Sequence, residues 1–190
     1  MKNKTEQTIK EHFTAKRIVL MAVFVALGYA VSRLEIPIFP ATPYLKLDFG
    51  NVFILLIGFL FGPIEGVVVC VIKELLRLIG SSSSGVGELV NILATCSFIL
   101  LPSIVYRFKK GLKYVVPSLA VACVIGTIVA LLTNRFITFP LYMGDGAKDV
   151  FNNVFWFILA FNAIKTVAVS VVTMLLYKRL STLLKRIENR

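Results

Sequence analysis

Long apolar runs, separated by short polar segments, are the feature that most restricts how this chain can fold. Hydrophobic residues make up 57% of its 190 residues and charged residues only 16%, which exceeds the apolar share of ordinary soluble domains. A membrane-spanning helix needs about 20 mostly apolar residues, so the chain has room for about six spans with short connections. We therefore predict an all-α, polytopic membrane protein with six transmembrane helices. The predicted spans cover approximately residues 18–36, 52–61, 64–79, 86–106, 115–137 and 154–177.

Basic residues cluster in three polar segments that six spans would place on one side of the membrane. The N-terminal leader, the segment Arg107–Lys113 and the C-terminal tail hold five, four and five Lys or Arg residues, fourteen of the 21 in the chain. The positive-inside rule makes that side cytoplasmic, together with both termini. The predicted organisation is a basic cytoplasmic leader at 1–16, a transmembrane substrate-binding domain at 17–180 and a basic cytoplasmic tail at 181–190. The net charge of +11 then indicates contact with the lipid bilayer and not with nucleic acid.

Lys165 is the most informative single residue, because it falls near the middle of the sixth predicted span. A charge at that depth costs several kcal/mol unless it is paired or wetted, so it should point away from lipid. Asn162 lies one helical turn earlier on the same face. Two explanations remain open at this point: a ligand site, or a structural pair of Lys165 with Glu88 or Glu74.

Further polar residues occur in the same halves of neighbouring spans. Asn134 lies near the end of the fifth span, and Glu88, Asn91 and Thr95 share one face at the start of the fourth. If these faces meet Lys165, they form a concave polar site. Aromatic residues nearby would complete its lining, namely Phe139, Tyr142, Trp156 and Phe161.

The segment from Ala41 to Asp48 holds two turn-forming residues ahead of a run that could cover such a pocket. An ordinary extracellular loop with a solvated Asp48 is the equally weighted alternative.

The chain lacks the residue patterns that enzymes and ATPases need. It contains no GxxxxGK[ST] sequence, and its one histidine, His12, lies in the leader. The three cysteines lie singly in apolar runs without a CxxC pair. We predict a non-catalytic protein without a metal or cofactor.

Ala22, Ala26 and Ala30 recur at four-residue spacing on one face of the first span. Small residues at this spacing let helices approach closely. Internal packing and the docking of a partner membrane protein both explain the stripe.

Several sequence motifs resemble the substrate-binding S components of energy-coupling-factor (ECF) vitamin transporters, and in particular their riboflavin-specific members. These motifs are the alanine stripe, Pro43–Asp48, Gly85–Asn91, Asn134 with Pro140–Tyr142, and Phe161–Lys165. The resemblance covers almost the whole chain, and the last motif is its most specific part.

The resemblance implies that the chain binds riboflavin from outside the cell and works with a transmembrane coupling protein and two cytoplasmic ATPases. It assigns the alanine stripe to the coupling protein and places Asn134, Asn162 and Lys165 at the polar edge of the flavin. It also implies that the remaining candidates cover or line the pocket: Thr42, Tyr44, Leu45, Glu88, Asn91 and Thr95. The residues alone also allow a self-sufficient proton- or cation-coupled carrier, an S component for another vitamin, or a non-transporting scaffold.

Overall fold

The protein is described here by a computed structural model, which covers residues 14–81 and 83–188, with side chains through Tyr177. His12 and almost all of the predicted leader lie outside the described residues, as do the side chains of the predicted tail. The described chain is mostly helical.

Seven α-helices follow one another along the described chain. They are α1 (Ala15–Ser32), α2 (Gly50–Leu60), α3 (Pro63–Arg77), α4 (Val86–Phe108), α5 (Leu112–Thr133), the short α6 (Phe139–Met143) and the long α7 (Ala147–Glu188). A π-helical turn at Asn134–Thr138 joins α5 to α6, and a 3-10 turn at Gly144–Gly146 joins α6 to α7. Between α1 and α2, two-residue strands β1 (Ile36–Pro37) and β2 (Lys46–Leu47) pair antiparallel, with Ile36 opposite Leu47.

Three helical stretches are long and apolar enough to cross a membrane: α1, α4 and the continuous stretch Leu112–Tyr177 that contains α5 and α7. Helix α2 is a shorter apolar helix. Helix α3 is more amphipathic, because Lys73, Glu74 and Arg77 occupy its last turns. The fold is thus of the helical membrane type that the apolar runs predicted.

Two predicted boundaries are wrong. The first span was expected to reach residue 36, but α1 ends at Ser32 and an extended strand follows. The segment 138–152 was expected to be a loop, whereas most of it is helical. Pro140 lies in the first turn of α6, where a missing N–H breaks no helical hydrogen bond. Gly144, with φ of 54°, caps the end of α6 and is the first residue of the 3-10 turn.

Helix α2 lies at the centre of the bundle and packs against α1, α3, α4 and α7. Its residues Ile54, Leu55, Leu56 and Ile57 are fully buried. Glycines permit the close packing of its neighbours: a Cβ added to Gly66 would lie 3.3 Å from the Cα of Gly58. A cavity lined by described residues lies toward one end of this packed centre.

The two ends of the bundle differ, and we name them by their connections. The cavity end carries the segments 33–49, 78–85 and 134–146. The closed end carries the short connections 61–62 and 109–111 together with the beginning of α1. A hydrogen bond between the hydroxyls of Tyr106 and Tyr177 ties α4 to α7 toward the closed end, beside the ring of Phe59.

Candidate functional site

A cavity of about 850 Å³ opens at the cavity end. Its wall is built from the β1–β2 segment, the last turns of α3, the first turns of α4, the region from α5 to α6, and the middle of α7. Its volume falls in the range of about 300–1,000 Å³ that is usual for small-molecule sites.

Lys165 projects from α7 into the wall of this cavity. Its Nζ donates to Asp48 Oδ2 at 2.9 Å and to Asn91 Oδ1 at 3.3 Å. Direct pairing with Glu88 or Glu74, the structural alternative from the sequence, is wrong within the described chain. The carboxylate partner is instead Asp48, in the segment before α2. Glu74 is linked to Lys165 only through Asn91, whose side-chain amide donates to Glu74 Oε1.

Asp48 is buried with 2% of its surface exposed. Its Oδ1 accepts a hydrogen bond from the backbone N–H of Gly50, the first residue of α2, at 3.0 Å. Burial alone would raise the pKa of the Asp48 carboxyl, but the cations of Lys165, Lys73 and Arg77 outweigh burial and lower the pKa to about 2. Asp48 is therefore a fixed anion at neutral pH.

A second layer of polar side chains lies behind the cavity wall. Lys73 is fully buried, with its Nζ bonded to Asn51 Oδ1 at 2.9 Å and paired with Glu74. Asn51 in turn donates to Thr95 Oγ1 at 2.9 Å. Because each buried charge has a charged or hydrogen-bonded partner, this layer can hold the wall residues in place without leaving an isolated ion in the core.

Asn134 and Asn162 face the cavity from two different elements. Asn134 begins the π-helical turn, and its Nδ2 donates to the Ala130 carbonyl at 2.7 Å. The Nδ2 of Asn162 donates to the Ile158 carbonyl at 2.8 Å. Each amide is thereby oriented by its own helix. A π-turn is a rare helical irregularity that occurs frequently at functional sites.

Hydrogen bonds connect the residues at the rim of the cavity. Tyr142 donates its hydroxyl to the carbonyl oxygen of Ser83, and the Ser83 hydroxyl donates to Glu88. Across the opening, Glu35 accepts from Lys46 at 2.8 Å and from Arg77 at 2.7 Å. These contacts fix the segments around the opening relative to one another.

The cavity brings together seven of the nine predicted substrate contacts: Tyr44, Leu45, Glu88, Asn91, Asn134, Asn162 and Lys165. Thr42 and Thr95 do not line it. Thr42 is buried behind the wall, with no hydrogen-bond partner for Oγ1 among the described residues, and Thr95 belongs to the second layer. Of the predicted aromatic residues, Trp156 is 72% exposed and lies outside the wall.

Comparison with known proteins identifies the family. Residues 16–177 match the model of the substrate-specific component of ECF transporters. The chain belongs to this family of S components. The resemblance found in the sequence motifs is thereby confirmed.

Two named relatives align with this chain over most of its length. The riboflavin transporter RibU of Staphylococcus aureus (strain TCH60) is 37% identical over 177 residues, spanning 90% of this chain and 94% of the relative. The riboflavin transporter FmnP of Bacillus subtilis (strain 168) is 29% identical over 87% of this chain and 92% of its own. A solved structure described as the S component of a bacterial ECF transporter superposes with a TM-score of 0.78 at 36% identity, covering 90% of this chain and 98% of that chain.

The alanine stripe of this S component lies on its surface. Ala22, Ala26 and Ala30 are all exposed, whereas Gly28 faces inward against α2 and the side chain of Lys73. Internal packing, one of the two explanations from the sequence, therefore does not account for the stripe in the described chain. The stripe remains open to lipid or to a partner helix.

Sequence reasoning missed three residues that shape the site. The alternatives for Asp48 were a segment that covers the pocket and a solvated loop, and neither Asn51 nor Lys73 was among the candidate site residues. A signal existed for Lys73, because a lysine inside an apolar helix requires a partner. None existed for Asp48, whose contact with Lys165 joins residues 117 positions apart.

Proposed function

We propose that this S component binds riboflavin in the cavity and serves as the substrate-specificity subunit of an ATP-driven ECF transporter. The observation that carries the proposal is the convergence of Asn134, Asn162 and Lys165 on one cavity in a chain whose relatives are named riboflavin transporters. The chain itself is non-catalytic, and partner ATPases supply the energy.

The chemistry of riboflavin suits this wall. Its isoalloxazine ring is a flat, mostly apolar body with carbonyl and nitrogen acceptors along one edge. Aromatic side chains such as Phe139 and Phe161 fit the body, while the ammonium of Lys165 and the two asparagine amides supply polar groups for the edge. The ribityl hydroxyls would meet the polar residues nearer the rim, including Glu88. A neutral vitamin does not need the bidentate arginine clamp that binds a carboxylate or phosphate.

We propose six spans in the bacterial cytoplasmic membrane, with the closed end and both termini in the cytoplasm. The basic residues Arg17, Arg107 and Lys113 lie toward the closed end, as the positive-inside rule requires of a cytoplasmic face. The cavity then opens outward, where the vitamin is captured. The basic leader (1–16) and tail (181–190) flank the transmembrane domain (17–180) on the inner side.

The exposed alanine stripe is the proposed contact for the transmembrane coupling protein, through which two cytoplasmic ATPases act. Small side chains at Ala22, Ala26 and Ala30 allow a partner helix to approach the α1 backbone closely. Replacing Ala26 with Trp should abolish uptake in cells that contain the coupling module but leave riboflavin binding unchanged. Uptake into vesicles that contain this chain alone would contradict dependence on such a module.

Binding is tested by titrating the detergent-purified protein with riboflavin while following flavin fluorescence. The wild type should quench the fluorescence stoichiometrically, and Lys165→Met should weaken binding by roughly 10- to 100-fold, since a hydrogen bond to a charged group contributes about 1.5–3 kcal/mol. Lys148→Met, which removes an exposed lysine from the same helix, is the control and should bind as the wild type does. Failure of well-folded wild type to quench would refute riboflavin as the ligand and direct the search to other vitamins.

A further inference from the structure

We propose that Asp48 is the positioning residue for Lys165, holding its ammonium group at the cavity wall with one N–H aimed at the ligand. This inference rests on the proposed riboflavin site, because it concerns how that site presents its cation. It assigns a role to the segment between β2 and α2 that is different from covering the pocket.

The contacts of Lys165 leave it one donor for a ligand. An ammonium group carries three N–H donors. Within the described chain two of them are used, one on Asp48 Oδ2 at 2.9 Å and one on Asn91 Oδ1 at 3.3 Å. The side chain is 14% exposed, and that exposure lies on the cavity wall. The third donor is therefore directed by the positions of the two acceptors.

Asp48 is held more rigidly than a loop residue usually is. Its second oxygen accepts from the N–H of Gly50, so the carboxylate is fixed to the start of α2. Gly50 packs closely against α1, because a Cβ at that position would lie 2.5 Å from the Gly28 carbonyl oxygen. The carboxylate position is thus set by the packing of α1 on α2, and α2 is the most buried helix of the bundle.

The other charged groups around this pair do not replace Asp48. Glu74 is paired with Lys73 and reaches Lys165 only through Asn91. Arg77 lies 3.8 Å from Asp48 and 2.7 Å from Glu35, and Glu88 bonds to Ser83. In the described chain Asp48 is therefore the only carboxylate in direct contact with the Lys165 ammonium.

The substitution Asp48→Asn tests the proposal with little change in shape. The amide oxygen can still accept from Gly50, but the other atom becomes an NH₂ donor facing the ammonium. The ammonium should then turn away from its position, and riboflavin affinity should fall by at least about tenfold, which corresponds to about 1.4 kcal/mol. Asp149→Asn, an exposed carboxylate on α7, is the matched control and should leave affinity unchanged.

A double-mutant cycle separates positioning from a general structural effect. If Asp48 acts through Lys165, then adding Asp48→Asn to Lys165→Met should lower riboflavin affinity less than twofold further. Additive losses would overturn the proposal, as would wild-type affinity of the Asp48→Asn protein.

The visible spectrum of bound riboflavin gives a readout that does not depend on affinity. At saturating riboflavin, the spectrum in Asp48→Asn should match that in Lys165→Met, because both lose the same hydrogen bond to the flavin edge. A wild-type spectrum in Asp48→Asn would mean that the Lys165 contact is intact and would overturn the positioning role. If Asp48→Asn does not fold, Asp48→Glu displaces the carboxylate without removing the charge, and the same spectral comparison decides. Absence of binding by the wild type would instead refute the riboflavin site itself.

Discussion

Toward the closed end of the bundle the helices meet mainly through glycines and fully buried aliphatic side chains, and the buried carboxylate of Glu65 faces Arg17. At the cavity end the same helices carry several lysines, carboxylates and amides. Helix α2 shows the difference along a single element. It begins beside Asp48 with Asn51 in the polar layer, and continues through Ile54 to Ile57 with no exposed side chain. The two ends therefore separate the two tasks of the chain, stable packing and ligand recognition.

The difference between the two ends explains why the buried polar residues of the cavity end are tolerated. In a membrane, burial of apolar surface does not distinguish helix–helix contact from lipid contact, so tight packing must supply much of the stability. The closed end provides such packing, for example where Gly66 meets Gly58. The cavity end can then carry a network whose desolvation cost is offset by pairing, as at Lys73 and Glu74. Substitutions at the closed end should affect stability alone, whereas substitutions at the cavity end should also affect affinity.

The largest expected effect is on stability, from Leu55→Ala at the centre of α2. Leu55 is fully buried, and truncating such a residue in a tightly packed core costs about 3 kcal/mol through lost contacts and a residual cavity. Thermal unfolding in detergent, followed by circular dichroism, measures the loss. Riboflavin affinity of the folded fraction should not change. Leu75→Ala, with a side chain that is 53% exposed, is the control and should unfold close to the wild type. A large loss of affinity in Leu55→Ala would break the separation between the ends.

The next largest effect concerns the contribution of Asp48, at the cavity end, to the free energy of unfolding. This contribution should change with pH by roughly 2 kcal/mol. The folded state lowers the Asp48 pKa from its usual 3.8 to about 2, so Asp48 stabilises the fold fully above pH 3.8 and loses this contribution as the pH falls toward 2. The difference in unfolding temperature between the wild type and Asp48→Asn should stay constant from pH 8 to 5. It should shrink below about pH 4. A difference that already shrinks between pH 7 and 5 would show that the carboxylate is not held by its cations.

The sequence predicted the membrane class and much of the cavity wall, because both depend on local signals. Lys165 stood out as a charge in an apolar span, and the spacing of Glu88 and Asn91 placed both on one helical face. What it did not predict depends on distant contacts. The sequence around Lys165 and the sequence around Asp48 contain no sign that the two residues pair. The sequence also does not show that Thr95 lies in the second layer whereas Asn91 lies in the cavity wall. The segment 138–152 was expected to be a loop that contains Pro140, but proline is allowed in a first helical turn.

The smallest expected effect is on affinity, from Asn91→Ala. Asn91 accepts a hydrogen bond from Lys165 and donates one to Glu74. Its truncation removes one of the two acceptors of the Lys165 ammonium, while Glu74 keeps its ion pair with Lys73. Because one of two anchoring hydrogen bonds is lost, we expect riboflavin affinity to fall about fivefold, or about 1 kcal/mol, less than after Asp48→Asn. Fluorescence titration measures the change, and the exposed Asn153→Ala is the control. An effect larger than that of Asp48→Asn would contradict the ranking and would mean that Asn91 contributes more than Asp48 does, by holding the Lys165 ammonium or by contacting the ligand as the sequence predicted.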